Sequence, residues 1–363
     1  MKKLLLVLLL APLFCGGVRA EATADQTLRI FEVSQMQNSL RDEEREIGGT
    51  ISTDGYDVRA ALRRLWESFA AKLKAQLHEE LGFAAKLLAL VFFSAFAASV
   101  CPDGKTRGMI EICAVCLAAV LLTGGMSSLV SQTSDAVFRL SDYSRAALPA
   151  VYTAAAAGGG VNAAAAGYAQ AAFALEVMMS LSRKAVVPLI YATLSITLAD
   201  VVFPNPILAA LAKLTKWAAK TMLTWTTLAF TALLGMSSLI STRMDAAAIK
   251  ATRTVMSAAF PVVGGMLSDA SSAVLAAGSV VAACMGAFGL VAVCAVCAGP
   301  FAVLSVKSLL FKAVAAVAES VQSPQMQRLF AGIDSAVMLL MGLLGANAVM
   351  LFLSFAAAIK VVA

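Results

Sequence analysis

Residues 81–100 read LGFAAKLLALVFFSAFAASV: twenty residues with one charge, Lys86, and no proline. Wound as a helix, such a run matches the hydrocarbon thickness of a bilayer, at about 20 residues per crossing. It lacks the alternation of a membrane strand, and only helices and closed barrels satisfy their backbone in lipid. The stretch is therefore read as a membrane-crossing α-helix. Further apolar runs follow near 109–130, 150–180, 186–203, 218–240, 262–285, 287–306 and 333–358. The third is rich in Ala and Gly and also admits a re-entrant pair of short helices. The expected fold class is all-α: a polytopic helical membrane protein with about six to eight spanning helices.

Composition agrees. Of 363 residues, 60% are hydrophobic and 14% charged, with a mean hydropathy of +0.84. Soluble domains carry roughly 25% charged residues. The balance excludes an ordinary soluble enzyme, a secreted disulfide scaffold and a disordered chain. A single histidine, His78, argues against a His-based metal centre or a Ser-His-Asp triad.

Upstream of the first run, Lys2 and Lys3, the apolar stretch Leu4 to Leu13, and Val18 and Ala20 before Glu21 give the pattern of a secretory signal peptide over 1–20. Residues 21–80 carry 8 Lys/Arg and 12 Asp/Glu, a net of −4, whereas 81–363 carry a net of +7. The first is expected to be a small extracytoplasmic helical segment, and the second the membrane domain. Leu62, Leu65, Trp66, Phe69, Leu73 and Leu77 form one stripe at spacings of 1, 3 and 4. With this segment outside, expected inner loops hold ten Lys/Arg and outer loops six, a weak positive-inside bias. Lys213, Lys216 and Lys220 fall on the outer side of that count. They fit only if they snorkel or if one upstream span is miscounted.

An internal repeat is visible. Gly125-Met126-Ser127-Ser128-Leu129-Val130-Ser131 returns 110 residues later as Gly235-Met236-Ser237-Ser238-Leu239-Ile240-Ser241. Pro149 answers Pro261, and Pro188 answers Pro300. Gly125, Pro149, Pro188, Gly235, Pro261 and Pro300 thus mark equivalent candidate helix breaks in two units, about 109–205 and 218–312. Three helices per unit would invert the second copy, a plan of secondary transporters. Duplication for close packing through small residues accounts for the same pattern.

Ionisable groups inside spans are costly and mark functional hypotheses. Glu111, Glu176, Asp200, Asp269 and Asp334 are such groups. Asn162, Gln170 and Glu176 share the Ala-rich run and, with Asp200, are candidate polar pathway residues; the alternative places the acids at span ends beside basic residues. Cys113-x-x-Cys116 and Cys294-x-x-Cys297 raise a thiol oxidoreductase, though cysteine in an apolar helix is foremost a small packing residue. Gly104-Lys105-Thr106 lacks the leading glycine of a phosphate loop, because Ser99 stands there. No cofactor, metal, catalytic residue or nucleic-acid partner is expected.

The whole plan, a signal peptide, a short charged outer segment and a duplicated helical body, resembles the stage III sporulation protein AE family. The GMSSL repeats and Leu148-Pro149 with the run Ala154-Ala155-Ala156-Ala157-Gly158-Gly159-Gly160 carry the resemblance. It implies a multi-pass protein of the mother-cell membrane around the forespore. It further implies a non-enzymatic place in a secretion-like channel complex supporting forespore development. The implied partners, besides membrane lipid, are a cytoplasmic ATPase, small membrane proteins, ring-forming extracellular domains and a forespore membrane protein. A small-solute permease with inverted repeats and a membrane thiol oxidoreductase are the alternatives.

Overall fold

The computed structural model describes residues 33–49, 56–100, 104–158, 161–259 and 264–360, with side chains described outside 33–35 and 235–277. The signal peptide, Pro261 and the side chains of Gly235's repeat copy and Asp269 lie outside these. Among the described residues every regular element is helical. Two short helices, α1 (Val33–Asn38) and α2 (Asp42–Gly48), precede α3 (Val58–Val100), α4 (Gly104–Ala157) and α5 (Val161–Leu181). A π-turn at Ser182–Val186 leads into α6 (Val187–Val202). Then come α7 (Pro206–Ala259), α8 (Gly264–Ser320) and α9 (Pro324–Lys360).

The starts of these helices are written locally. Asp57 accepts the N–H groups of Arg59 and Ala60 at 3.0 Å each, satisfying two of the free donors that open α3. Asn205 does the same for Ile207 at 2.9 Å, with Pro206 at the first position of α7. At α9 the cap comes from elsewhere in the chain: the Gln325 N–H donates to the Glu111 carboxylate at 3.2 Å. That carboxylate also suits the positive end of the helix dipole.

The helices are longer and fewer than the apolar runs suggested. The break expected at Pro149 does not occur, since Pro149 lies inside α4, which runs on to Ala157. The run 150–180 is thereby divided between α4 and α5. Pro300 lies inside α8, which joins the runs expected at 262–285 and 287–306. A proline removes one hydrogen bond to the carbonyl four residues back. Both helices nonetheless run on past that gap, with Pro149 flanked by the buried Leu148 and Ala150. Arg183 and Lys184, expected in a loop, sit in the π-turn, where the Val187 N–H donates to Ser182 O. Among the described residues, five helical stretches, Val58–Val100, Gly104–Ala157, Val161–Val202, Gly278–Ser320 and Pro324–Lys360, are long and apolar enough to cross a membrane.

The core is built around α8 and α9. Of the most apolar 18-residue stretch in each, 78% and 61% is buried within the protein, against 17% for α3. Phe288, Phe311, Phe330 and Phe355 are fully enclosed there. Around them α3, α4, α5–α6 and α7 turn large apolar side chains outward, among them Phe93, Phe96, Val120, Phe173 and Trp225. A water-soluble bundle does not expose a surface of that kind; lipid covers it. The expected boundary at residue 80 falls inside α3, which runs unbroken from the charged segment into the apolar one.

Contacts between helix ends fix their relative heights. Glu111 meets Gln325, Lys216 Nζ donates to Ser335 Oγ at 2.8 Å, and Thr197 packs on Gly332. The starts of α4, α7 and α9 and the end of α6 therefore share one end of the bundle. Gly278 lies against the backbone of Ala157 toward the other. Because 161–202 is one helical passage, Lys213, Lys216 and Lys220 come to the same end as Lys105 and Arg107. The loop that had separated them in the sequence reading is absent.

Candidate functional site

A polar cleft of about 910 Å3 opens where α2 and the first half of α3 lie on α4 and α8. Arg41, Asp42, Glu43 and Glu44 line it from the short helix, and Lys72, Gln76 and Glu79 from α3. Gln132, Asp135 and Arg139 come from α4, and Val296, Gly299 and Pro300 from α8. Pro300 has no N–H, so the Val296 carbonyl is freed from the helix ladder at the cleft wall. A Cβ at Gly299 would meet nothing within 4 Å.

The short helix is strapped over this place. Ile47 packs with Leu65, Ala295 and Ala298, and Gly48 lies against the Phe288 ring. Tyr56 Oη donates to Gly48 O at 2.7 Å, and Arg64 Nη1 donates to Glu46 O at 3.1 Å. Glu44, 6% exposed, is ion-paired with Arg139 of α4. Lys72 meets Glu43 at 3.1 Å. The lining carries five carboxylates and three cations, with no Ser, Thr, Cys or His. With five carboxylates to three cations, it is suited to seating a polar or cationic segment.

The four sequence-derived pathway residues do not line this cleft. Glu176, exposed on α5, accepts two hydrogen bonds from Arg145 Nη2 of α4 at 2.9 Å each, with Arg183 at 4.0 Å. The Arg183 guanidinium stacks 4.8 Å from the Phe138 ring centroid. Gln170 donates to the Leu233 carbonyl of α7. Asn162 is exposed at the start of α5, and Asp200 is half-buried near the end of α6. Thirty-eight residues separate the last two along one passage, about 57 Å at about 1.5 Å per residue. The set is distributed along the passage, and the contacts above tie α5 to α4 and α7.

Other polar residues hold the body together; of these the sequence singled out Asp334 but not Lys307 or Asn347. Lys307 of α8 meets Glu80 of α3 at 2.5 Å, with the two side chains 13% and 12% exposed. The same ammonium stands 4.8 Å from the Phe83 ring centroid. Asp334 accepts from Ser308 Oγ at 2.5 Å and pairs with Lys312 at 3.8 Å. Asn347, fully buried on α9, donates to Leu343 O at 2.7 Å and to Ser182 Oγ at the π-turn at 3.4 Å. A search for every polar residue inside an apolar run would have found Asn347, within 333–358; Lys307 falls one residue past the run 287–306 and gave no such signal.

The cysteines do not gather. Cys113 and Cys116 lie near the start of α4, whereas Cys297 follows Val296 at the cleft that Arg139 also lines. Cys116 and Arg139 are 23 residues apart on one helix, about 35 Å. All four thiols are free. Among the described residues, no cluster of three or more His, Cys, Asp or Glu is arranged to hold a metal ion.

No curated protein and no solved structure matches this chain. The family model described as stage III sporulation protein AE matches residues 53–362, covering α3 to α9 and the helical body whose outward face is apolar. On that match the chain belongs to the stage III sporulation protein AE family.

Proposed function

We propose that the protein is a non-enzymatic, multi-pass subunit of a secretion-like channel complex in the mother-cell membrane around the forespore. In this reading it supports forespore development by forming or scaffolding the export gate. The carrying observation is the family match over 53–362 together with a polar cleft held against an apolar helical body. Residues 21–80 face the space between the two membranes and meet ring-forming domains there. The end of the bundle that holds the starts of α4, α7 and α9 faces the mother-cell cytoplasm, where the ATPase acts. Support for that orientation is the gathering of Lys105, Arg107, Lys213, Lys216, Lys220 and Arg328 at one end.

The two repeat units, 109–205 and 218–312, are proposed to descend from one duplicated helix set. The two GMSSL copies lie inside α4 and α7, each 54 residues long. The test is affinity purification of the tagged chain from sporulating cells, paired with cysteine labelling from each side. Co-elution of an ATPase and ring-domain proteins is expected, with position 103 labelled only from the mother-cell cytoplasm. Recovery of the chain alone, active in solute uptake by reconstituted vesicles, would replace the proposal with the permease.

A further inference from the structure

We propose that Lys213, Lys216 and Lys220 of α7, with Trp217 and Trp225 beside them, bind the headgroups of anionic phospholipids. Spacings of 3 and 4 bring the three ammonium groups onto one face of the helix. All three residues are exposed. Elsewhere on the long helices Arg139, Arg145, Arg183, Lys307 and Lys312 each have a carboxylate partner, whereas Lys86, Lys105, Arg107, Lys184, Arg328 and Lys360 have none among the described residues. What sets 213–220 apart is three such cations on one helix face beside two exposed indoles. Among the described residues these three lysines have none; Lys216 donates only to the neutral Ser335 hydroxyl at 2.8 Å.

The adjoining face says what covers them. Trp217 is 63% exposed and Trp225 67%, and Leu214 and Leu228 stand outward on the same side. Uncompensated ammonium groups beside exposed indoles and leucines match the boundary between acyl chains and headgroups. The apolar side chains enter the chains, the indole N–H groups reach the ester level, and the lysine stems extend to the phosphates. An acidic protein or a nucleic acid would leave this apolar face in water. The stripe begins seven residues into α7, about 10 Å from its start. Bound headgroups therefore also fix how deeply this end of the bundle sits. The assignment requires only that α7 lie against lipid, and it stands or falls separately from the channel reading.

The test uses the full chain carrying Trp66→Phe, so that emission comes from Trp217 and Trp225. It is reconstituted in phosphatidylcholine vesicles containing a minor share of either dibrominated phosphatidylglycerol or dibrominated phosphatidylcholine. Bromine quenches indoles it touches, so unequal quenching measures enrichment. Each lysine is expected to favour the anionic lipid by about fivefold at low salt. Joint Lys213→Gln, Lys216→Gln and Lys220→Gln replacement is expected to bring the ratio to about one, and the corresponding Arg variants to restore it. Lys213→Gln and Lys220→Gln singly remove no hydrogen bond within the described chain. They read the same loss, about fivefold each, should the triple variant not accumulate. Equal quenching by the two lipids in the wild type, or a preference that survives the Gln variants, overturns the proposal. So does abolition of the preference by millimolar glycerol phosphate, which would make free phosphate the ligand.

Discussion

Replacing Glu80 alone should damage the protein more than replacing Glu80 and Lys307 together. The pair joins α3 to α8 at 2.5 Å with both side chains nearly enclosed. At that separation and an effective dielectric of about 20, the attraction is roughly 6–7 kcal/mol. Withdrawing each ion from water costs several kcal/mol, so the net contribution of the intact pair is small. Glu80→Gln keeps the shape and an amide oxygen able to accept from the ammonium, but it removes the counter-charge and leaves the buried cation with that neutral acceptor and the Phe83 ring. The expected loss is about 3 kcal/mol. Lys307→Met leaves the carboxylate with the Gln76 amide donor at 3.2 Å and no cation, and should cost somewhat less. The double variant leaves no charge uncompensated and should cost less than either single change. Unfolding of the detergent-purified full chain, run as a double-mutant cycle, measures all three. Single losses below about 0.5 kcal/mol, or a double variant as damaged as the two singles added, would refute the argument. Either result would mean that water reaches the pair and that α3 is not locked to α8 there.

Arg139→Met should release α2 from the body, raising tryptic cleavage after Arg45 by on the order of tenfold; an unchanged rate by mass spectrometry would contradict the strap described here. Gly278→Ala should destabilise by about 1–3 kcal/mol, because its Cβ would come 2.6 Å from the Ala157 backbone. Gly125→Ala, with nothing within 4 Å, should stabilise by up to about 1 kcal/mol through helix propensity; the same unfolding assay decides both, and a loss at Gly125 would show that the helix needs its glycine. Joint replacement of Cys113, Cys116, Cys294 and Cys297 by Ala should leave the titre of heat-resistant spores within about twofold, since packing swaps of this size cost little; a collapse with normal protein levels would revive the thiol reading.

The sequence was most informative where the signal was local and least where a distant partner decided the outcome. The run 81–100 specifies a helix by length and apolarity alone, and α3 contains it. Asp57 and Asn205 announce helix starts that the structure uses. By contrast, Arg183-Lys184 resembles a loop because two charges interrupt an apolar run. What keeps that stretch helical is Phe138 under one guanidinium and Glu176 nearby, both outside the segment. Pro149 and Pro300 likewise look like ends, yet each lies inside a long helix that tolerates one missing hydrogen bond. The cleft was invisible for a related reason. Glu44 and Arg139 are 95 residues apart, and nothing in either neighbourhood points to the other.

The fusion of apolar runs into helices of up to 57 residues leaves very little connecting chain. Counted along the sequence, three or four residues separate consecutive long helices. Most of the surface a neighbour could meet is then the flank of a rod. Attachment along such flanks would be graded by axial sliding rather than set by a key in a lock. At about 1.5 Å per residue the longest rod reaches about 86 Å, nearly three times the hydrocarbon thickness. A push at one tip would therefore travel to the far compartment as a stroke.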